Sequence, residues 1–326
     1  MAHGPGMQLP PRWRKSMEVT LELKAVGFIN TAITHMDQPD FMTATGILLI
    51  HCPDKRGIVT AMTEFIFKNN GNIVYLDQHV DSVKNIFFMR LEWTLDGFLI
   101  PAAEIGPRLE SSIAKPFEMH WELHFSQQKQ RVAIFVSKQS HCLFDLLARW
   151  KSGEIAVEPP LVLSNHPDLA DVARQFGVDF HCFDLQRQSK QDVEAQQLEL
   201  LRRHNIDFIV LARYMQVLSG AFIAHYVNRI INIHHSFLPA FPGSKPYHSA
   251  FERGVKVIGA TSHFVTEDLD AGPIIAQDVT HIDHTDSIPD LIRKGKDLEK
   301  IVLSHAVWHH VQRKILVYDN RTAVFN

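Results

Sequence analysis

Residues 230–243 (IINIHHSFLPAFPG) contain an asparagine and a histidine whose side-chain types and spacing suit a catalytic site. The segment begins as an apolar run, which predicts a buried strand, and prolines interrupt it at Pro239 and Pro242. Since alternate side chains of a strand face the same side, Asn232 and His234 should lie together at its carboxyl end. An amide can hold an oxyanion, and an imidazole moves protons near neutral pH. The pair indicates acyl chemistry, with ordinary loop polarity as the alternative.

Several histidines lie close in sequence here, which raises the question of a metal site. They are His234, His235, His248 and His263. Metal-binding histidines commonly follow H-x-x-x-H or H-E-x-x-H spacing, and neither occurs in this stretch. The sequence therefore favours a site without a metal, and we expect no bound cofactor.

A second motif follows about thirty residues later, at residues 259–277 (GATSHFVTEDLDAGPIIAQ). A strand-like run reaches His263, and an acidic loop then ends in Asp270-Ala271-Gly272-Pro273. An Asn-x-His strand end followed by an Asp-x-Gly-Pro loop resembles the folate-dependent formyltransferase and formyl-hydrolase family. The resemblance implies that Asn232, His234 and Asp270 form the catalytic triad, with His263 as the accompanying histidine.

The resemblance also implies where a folate would bind. We expect it against residues 211–218 (LARYMQVL) and the acidic loop, although parts of the first segment, such as Met215 and Val217, could instead belong to the core. The expected folate-binding residues are Leu211, Arg213, Tyr214, Met215, Gln216, Val217, Thr266 and Glu267. Lys245 and His248 are expected to support the site, by contacting substrate or by closing off an acceptor site.

The loop after the first strand of this region, residues 137–142 (SKQSHC), indicates the branch of the family. Members that formylate a phosphorylated amine have a glycine-rich loop there, because glycine lets backbone amides approach a phosphate closely. This loop contains no glycine, and His235 stands where transferases commonly carry proline. The resemblance therefore implies the hydrolytic branch: a hydrolase of an amide-type C–N bond that converts 10-formyltetrahydrofolate and water to tetrahydrofolate and formate. Such an enzyme would supply formate to purine synthesis and balance the one-carbon pool.

Residues 131–326 alternate strand and helix patterns, which predicts a Rossmann-like α/β domain with a largely parallel, doubly wound sheet. The polar residues 127–130 are predicted to be a linker.

Residues 43–126 show the order βαββαβ, which predicts a ferredoxin-like domain. With the D-x-x-G turn after its first strand, it resembles the ACT family of amino-acid-sensing modules. The resemblance implies an effector, glycine or methionine, near Asp54, Arg56, Gly57 and Ile58, and a homo-oligomer. The alternative is that Asp54 and Gly57 only make the turn.

Composition excludes some function classes. The chain has 326 residues, 45% of them hydrophobic, and a net charge of −3, which gives no footprint for nucleic acid. No apolar run is long enough to span a membrane. Three widely spaced cysteines suggest a reducing cytoplasm. Residues 1–42 fit neither domain and are expected to be an extension of low functional weight.

Two other functions remain open from sequence. The first is a folate-dependent transferase that formylates an unidentified amine. The second is an amino-acid-sensing protein whose hydrolase domain is inactive, although a binding module has no need of Asn232, His234 and Asp270 together.

Overall fold

The computed structural model describes residues 44–184, 188–240 and 246–326. The expected extension, residues 1–42, and Lys245 lie outside these ranges. Residues 44–326 form one unit that contains a four-stranded sheet, a seven-stranded sheet and a two-stranded hairpin. None of the helices in the described ranges has the length and apolar character needed to cross a membrane.

The four-stranded sheet is antiparallel, with the strand order β2-β3-β1-β4. Its elements are β1 Thr45–Pro53, α1 Ile58–Lys68, β2 Ile73–Asp81, β3 Ile86–Thr94, α2 Ala102–Leu109 and β4 His120–Phe125. After α2 the chain stays helical through Glu110–Ala114 and Lys115–Phe117. The ferredoxin-like βαββαβ order predicted from sequence is confirmed.

Both faces of β1 are covered, which explains why its residues are almost all buried. Leu48 and Ile50 pack with the apolar stripe of α1, where Ile58 and Met62 recur at helical spacing. Leu49, between them, faces the other way and packs against the C-terminal hairpin.

The seven-stranded sheet has the order β11-β10-β9-β8-β5-β6-β7. Its strands are β5 Val132–Val136, β6 Leu161–Ser164, β7 Asp179–Cys182, β8 Phe208–Leu211, β9 Ile230–His234, β10 Val257–Phe264 and β11 Ile274–His281. Its helices are α3 His141–Lys151, α4 Ala170–Phe176, α5 Lys190–Arg203, α6 Gly220–Ile223, α7 Pro246–Arg253 and α8 Ile288–Val311. Strands β5 to β9 are parallel, whereas β10 and β11 join antiparallel at the edge. The Rossmann-like, largely parallel fold is thus confirmed.

Two C-terminal elements were not among those predicted. Helix α8 begins at a reciprocal capping box between Ser287 and Asp290 and packs beneath β9, β10 and β11. The hairpin consists of β12 Ile315–Tyr318 and β13 Arg321–Val324. Near the expected linker, Gln130 is buried, and its Nε2 donates to the Val311 carbonyl oxygen at the end of α8.

Candidate active site

Strands β9 and β10 bring three polar side chains together. Asn232 and His234 are two residues apart on β9, and both line the same cavity, as alternation predicts. The antiparallel register places His263 of β10 directly opposite Asn232. His234 is 7% exposed and His263 is 2% exposed, so these imidazoles lie largely out of water.

Asp270 completes the cluster from the loop between β10 and β11, residues 265–273, which we call the Asp270 loop. His234 Nδ1 lies 3.2 Å from Asp270 Oδ2, and His263 Nε2 lies 3.6 Å from Asp270 Oδ1. The hydrogen bond from His234 is the largest of the effects that hold the pKa of Asp270 well below its usual range. The carboxylate is therefore ionised throughout the neutral range.

The bonds at His234 determine how its ring is used. If Nδ1 donates its proton to Asp270, Nε2 is left to face a ligand. Nε2 is buried and has no hydrogen-bond partner among the residues that the structure describes. An imidazole oriented by a carboxylate, with its second nitrogen unpartnered, is an arrangement suited to proton transfer.

His263 has a different role, because both of its nitrogens are occupied. Its Nδ1 donates to the Phe264 carbonyl oxygen at 2.9 Å, which leaves Nε2 as the acceptor in the neutral ring. Asn232 Nδ2 donates to this Nε2 at 3.2 Å. His263 therefore orients the Asn232 amide and leaves its second N–H available for an oxyanion.

Close packing against β10 fixes the path of the Asp270 loop. The Phe264 amide donates to the Pro273 carbonyl oxygen at 2.9 Å. A Cβ atom on Gly272 would lie 1.9 Å from the Phe264 carbonyl oxygen, so any side chain there would force the backbone apart. Asp270 itself has a φ of 54°, in the left-handed region. This packing explains the glycine in the Asp-x-Gly-Pro motif.

The cluster opens into a cavity of about 430 Å³. Its walls come from the segment after β8, from β9 and from the Asp270 loop. All eight residues expected to bind the folate line it: Leu211, Arg213, Tyr214, Met215, Gln216, Val217, Thr266 and Glu267. Met215 and Val217 are 55% and 59% exposed, which places them at the cavity rather than in the core.

The chain is similar to known proteins over most of its length. Residues 130–307 match the model of the formyl transferase family. A formyltetrahydrofolate deformylase from Synechocystis is 52% identical over 281 residues, which are 86% of this chain and 98% of that protein. The chain belongs to the formyltetrahydrofolate deformylase family.

Solved structures of a deformylase and of a transformylase both resemble this chain, to different extents. A deformylase from Pseudomonas syringae pv. tomato superimposes with a TM-score of 0.85 and 41% identity, covering 91% of this chain and all 100% of that one. A glycinamide ribonucleotide transformylase from Symbiobacterium toebii gives a TM-score of 0.59 and 31% identity, covering 63% of this chain and 98% of that one. The deformylase likeness therefore extends over more of the chain than the transformylase likeness.

The glycine-free loop of this deformylase-family chain is tied to its neighbours through Ser137. Its Oγ donates to Asn165 Oδ1 at 2.6 Å and accepts from the Met215 amide at 3.0 Å. Ser137 is 3% exposed. One buried hydroxyl thus joins the loops that follow three parallel strands, a role that the sequence did not reveal.

A buried carboxylate beside the cavity was also missed. Glu299 of α8 accepts from His141 Nε2 and from the Tyr247 hydroxyl, both at 2.7 Å, and lies 3.5 Å from Arg213 Nε. Burial opposes ionisation, but hydrogen bonds from His141 and Tyr247 and the charge of Arg213 leave the pKa of Glu299 lowered. The sequence signal for this role is the helical position of Glu299, which places a charged residue on the buried face of α8.

His141, Cys142 and Glu299 also bring possible metal ligands within 4.8 Å of one another. Both Glu299 oxygens already accept hydrogen bonds, and burial holds the pKa of the Cys142 thiol well above its usual range. The two Glu299 oxygens would have to give up these hydrogen bonds to bind an ion.

Other predicted site residues lie elsewhere. His248 is exposed on α7 and does not line the cavity. Lys245 falls outside the described residues. The expected effector site lies at the turn between β1 and the start of α1 and consists of Asp54, Arg56, Gly57 and Ile58. Asp54 and Arg56 are exposed, whereas Ile58 is 1% exposed.

Proposed function

We propose that Asn232, His234 and Asp270 carry out the hydrolysis of 10-formyltetrahydrofolate to tetrahydrofolate and formate. The observation that carries this proposal is the His234–Asp270 pair, with Nε2 of His234 unpartnered beside a cavity large enough for a pterin. The name of the 52% identical relative supports the same reaction.

In the proposed mechanism, water attacks the formyl carbon and the carbonyl electron pair moves onto the formyl oxygen. The N–H of Asn232 that His263 leaves free donates to this oxyanion. His234 then gives its proton to N10 as the C–N bond breaks and the oxyanion electron pair re-forms the carbonyl. Formic acid and tetrahydrofolate separate, and the acid loses its proton to water to give formate.

Asp270 has two roles in this mechanism, because it contacts the attacking water and the positively charged His234 imidazolium. Its lowered pKa makes it a weak base, so we infer that it orients the water and stabilises the imidazolium more than it draws the proton in advance. The proton that water loses passes through this carboxylate and restores His234. The cycle then closes without a metal ion or cofactor.

The folate is proposed to bind with its pterin along residues 211–218 and its formyl group toward Asn232. The residues around this segment are mostly apolar, with polar groups where the cavity meets the catalytic cluster. Such a distribution suits a flat heterocycle that is oriented by a few hydrogen bonds. We propose no contact for Lys245, and the exposed position of His248 gives it no support.

Water is favoured as the acceptor over an amine. The loop that would have to approach a phosphate, residues 137–142, has no glycine, and its Ser137 hydroxyl bonds to Asn165 and to the Met215 amide in neighbouring loops. Glycine is the residue that lets backbone amides approach a phosphate closely.

For the N-terminal domain predicted over residues 43–126, we propose the ACT-like role of sensing glycine or methionine. Gly57 has a φ of 92° and starts α1, while the Asp54 amide donates to the Asn85 carbonyl oxygen at 2.9 Å. In this turn Arg56 is exposed, whereas the buried Ile58 could offer a ligand only its backbone. Calorimetric titration of glycine and methionine tests this role, with Arg56→Ala as the variant and Lys55→Ala as its neighbour control. Absence of heat for both amino acids would end it.

We also propose a homo-oligomer and a cytoplasmic location. Sedimentation velocity at several concentrations tests the first, and a single monomeric species would contradict it. Cell fractionation tests the second.

The decisive experiment measures formate release from 10-formyltetrahydrofolate with no amine present. We expect rapid release by the wild type and loss of most of it in Asp270→Asn. Asp268→Asn is the matched control, because it removes a carboxylate from the same loop without removing the partner of His234. Absence of formate from the wild type would contradict the proposal, and formylation of an added amine would then support the transferase.

A further inference from the structure

The C-terminal hairpin, β12 and β13, lies between the N-terminal sheet and the Asp270 loop. On the first side, the rings of Phe88 and Tyr318 pack with centroids 4.7 Å apart, and the Tyr318 hydroxyl donates to Asp81 Oδ2 at 2.8 Å. Lys84 Nζ lies 2.5 Å from Asp319 Oδ2 in the turn of the hairpin.

Apolar packing covers the same face of the hairpin through Leu49, Phe88, Leu316 and Phe325. The hairpin is therefore anchored on the N-terminal sheet.

On its second side, the hairpin bonds to the backbone that leads away from Asp270. Asn320 Nδ2 donates to the Ala271 carbonyl oxygen at 2.8 Å. Thr322 Oγ1 donates to the Ile274 carbonyl oxygen at 2.5 Å. These two bonds flank Gly272 and Pro273, so both ends of the motif's last segment are attached to the hairpin.

Contacts from two elements hold the Asp270 loop. Asp270 has a φ of 54°, in the left-handed region, which aspartate adopts more readily than most residues. Close packing of Gly272 on Phe264 restrains the loop against β10, and the two bonds to the hairpin restrain it further. A small shift of the carboxylate would lengthen its 3.2 Å contact with His234.

We propose that Asn320 and Thr322 are positioning residues, which hold the Asp270 loop in register with His234 and use the N-terminal sheet as their support. This inference rests on the proposed function, because it assigns the residues to the geometry of the proposed catalytic carboxylate. It also gives the N-terminal sheet a physical connection to the catalytic cluster through the hairpin.

The test compares Asn320→Ala and Thr322→Val with the wild type in formate release and in backbone amide exchange over residues 268–274. Each variant loses one donor, so we expect kcat to fall by about threefold to tenfold while KM stays close to the wild-type value. Amide exchange in the loop should rise. Thr322→Ser keeps the hydroxyl and should restore both values, whereas exposed Arg321, between the two residues, serves as the control in Arg321→Ala.

The outcomes separate this inference from the proposed function. If the double variant Asn320→Ala/Thr322→Val keeps wild-type kcat and wild-type exchange in the loop, the inference is overturned. It is also overturned if Thr322→Ser is as impaired as Thr322→Val. If the wild type releases no formate, the proposed function fails by itself, and the exchange measurement alone then decides whether the hairpin holds the loop.

Discussion

The side-chain amide of Asn232 and the imidazole of His263 meet across two antiparallel strands, with 3.2 Å between Nδ2 and Nε2. The bond leaves one amide N–H to face the cavity. It also makes the two residues a unit, since the orientation of Asn232 depends on the ring opposite.

Removal of either member of this unit should cost turnover, and the losses should not add. Loss of one oxyanion donor typically costs about 2.7–4 kcal/mol, so Asn232→Ala should lower kcat by about 100- to 1,000-fold. His263→Ala should cost less, and the double variant should be about as slow as Asn232→Ala alone. The measurement is a double-mutant cycle, in which the rate of formate release is compared among the wild type, the two single variants and the double variant. Fully multiplicative losses would show that His263 acts independently of Asn232.

The lowered pKa of Asp270 predicts how stability depends on pH. A carboxyl group whose pKa is lower in the folded than in the unfolded chain stabilises the fold above its unfolded value, about 3.9, and loses that effect as pH falls through the folded value. The difference in free energy of unfolding between wild type and Asp270→Asn should therefore be present at neutral pH and shrink below about pH 4. Chemical denaturation at several pH values measures it. A difference that grew in acid would contradict the predicted direction.

Gly272→Ala should disrupt the Asp270 loop without disturbing the N-terminal sheet. The added Cβ would meet the Phe264 carbonyl oxygen at 1.9 Å, and a backbone atom cannot move aside as a flexible side chain can. We expect kcat to fall by at least about tenfold, because the loop must shift away from His234. Gly153→Ala is a useful comparison, since a Cβ there meets no atom within 4 Å, although its φ of 83° carries its own strain. Equal activity of Gly272→Ala and wild type would show that the packing is looser than described.

Glu299 should matter more for stability than its charged neighbours on α8. Its side chain is 1% exposed and faces His141, Tyr247 and Arg213. Removing one partner of a buried ion pair leaves an uncompensated charge, so Glu299→Ala should destabilise the fold by about 3–5 kcal/mol. Lys300→Ala breaks only a surface pair with Asp297 and should cost at most about 1 kcal/mol. Denaturant unfolding compares the two variants, and similar losses would argue against a buried network.

Much of the site follows from local sequence rules. Asn232 and His234 share a face because successive side chains of a strand alternate between its two sides. They lie at the end of the sheet where the carboxyl ends of the parallel strands meet. Segment 211–218 follows the neighbouring strand β8, so its place at the cavity follows from the same rule.

Other parts depended on contacts between distant segments. The pairing of His263 with Asn232 requires the antiparallel register of β10, which periodicity does not contain. Glu299 reaches Arg213, which lines the cavity, only because α8 packs beneath the sheet, and Ser137 acts only because three loops converge. His248 shows the converse, since closeness in sequence to His234 did not bring it to the cavity.

The two bonds of Ser137 have a consequence for redesign. Replacing its loop with a glycine-rich sequence, to admit a phosphorylated amine, would remove the acceptor that holds the Met215 amide and the donor that holds Asn165. Acceptor binding would then be gained at the cost of order in the wall against which the pterin is proposed to lie. Conversion between the two chemistries therefore calls for coordinated changes in three loops rather than in one.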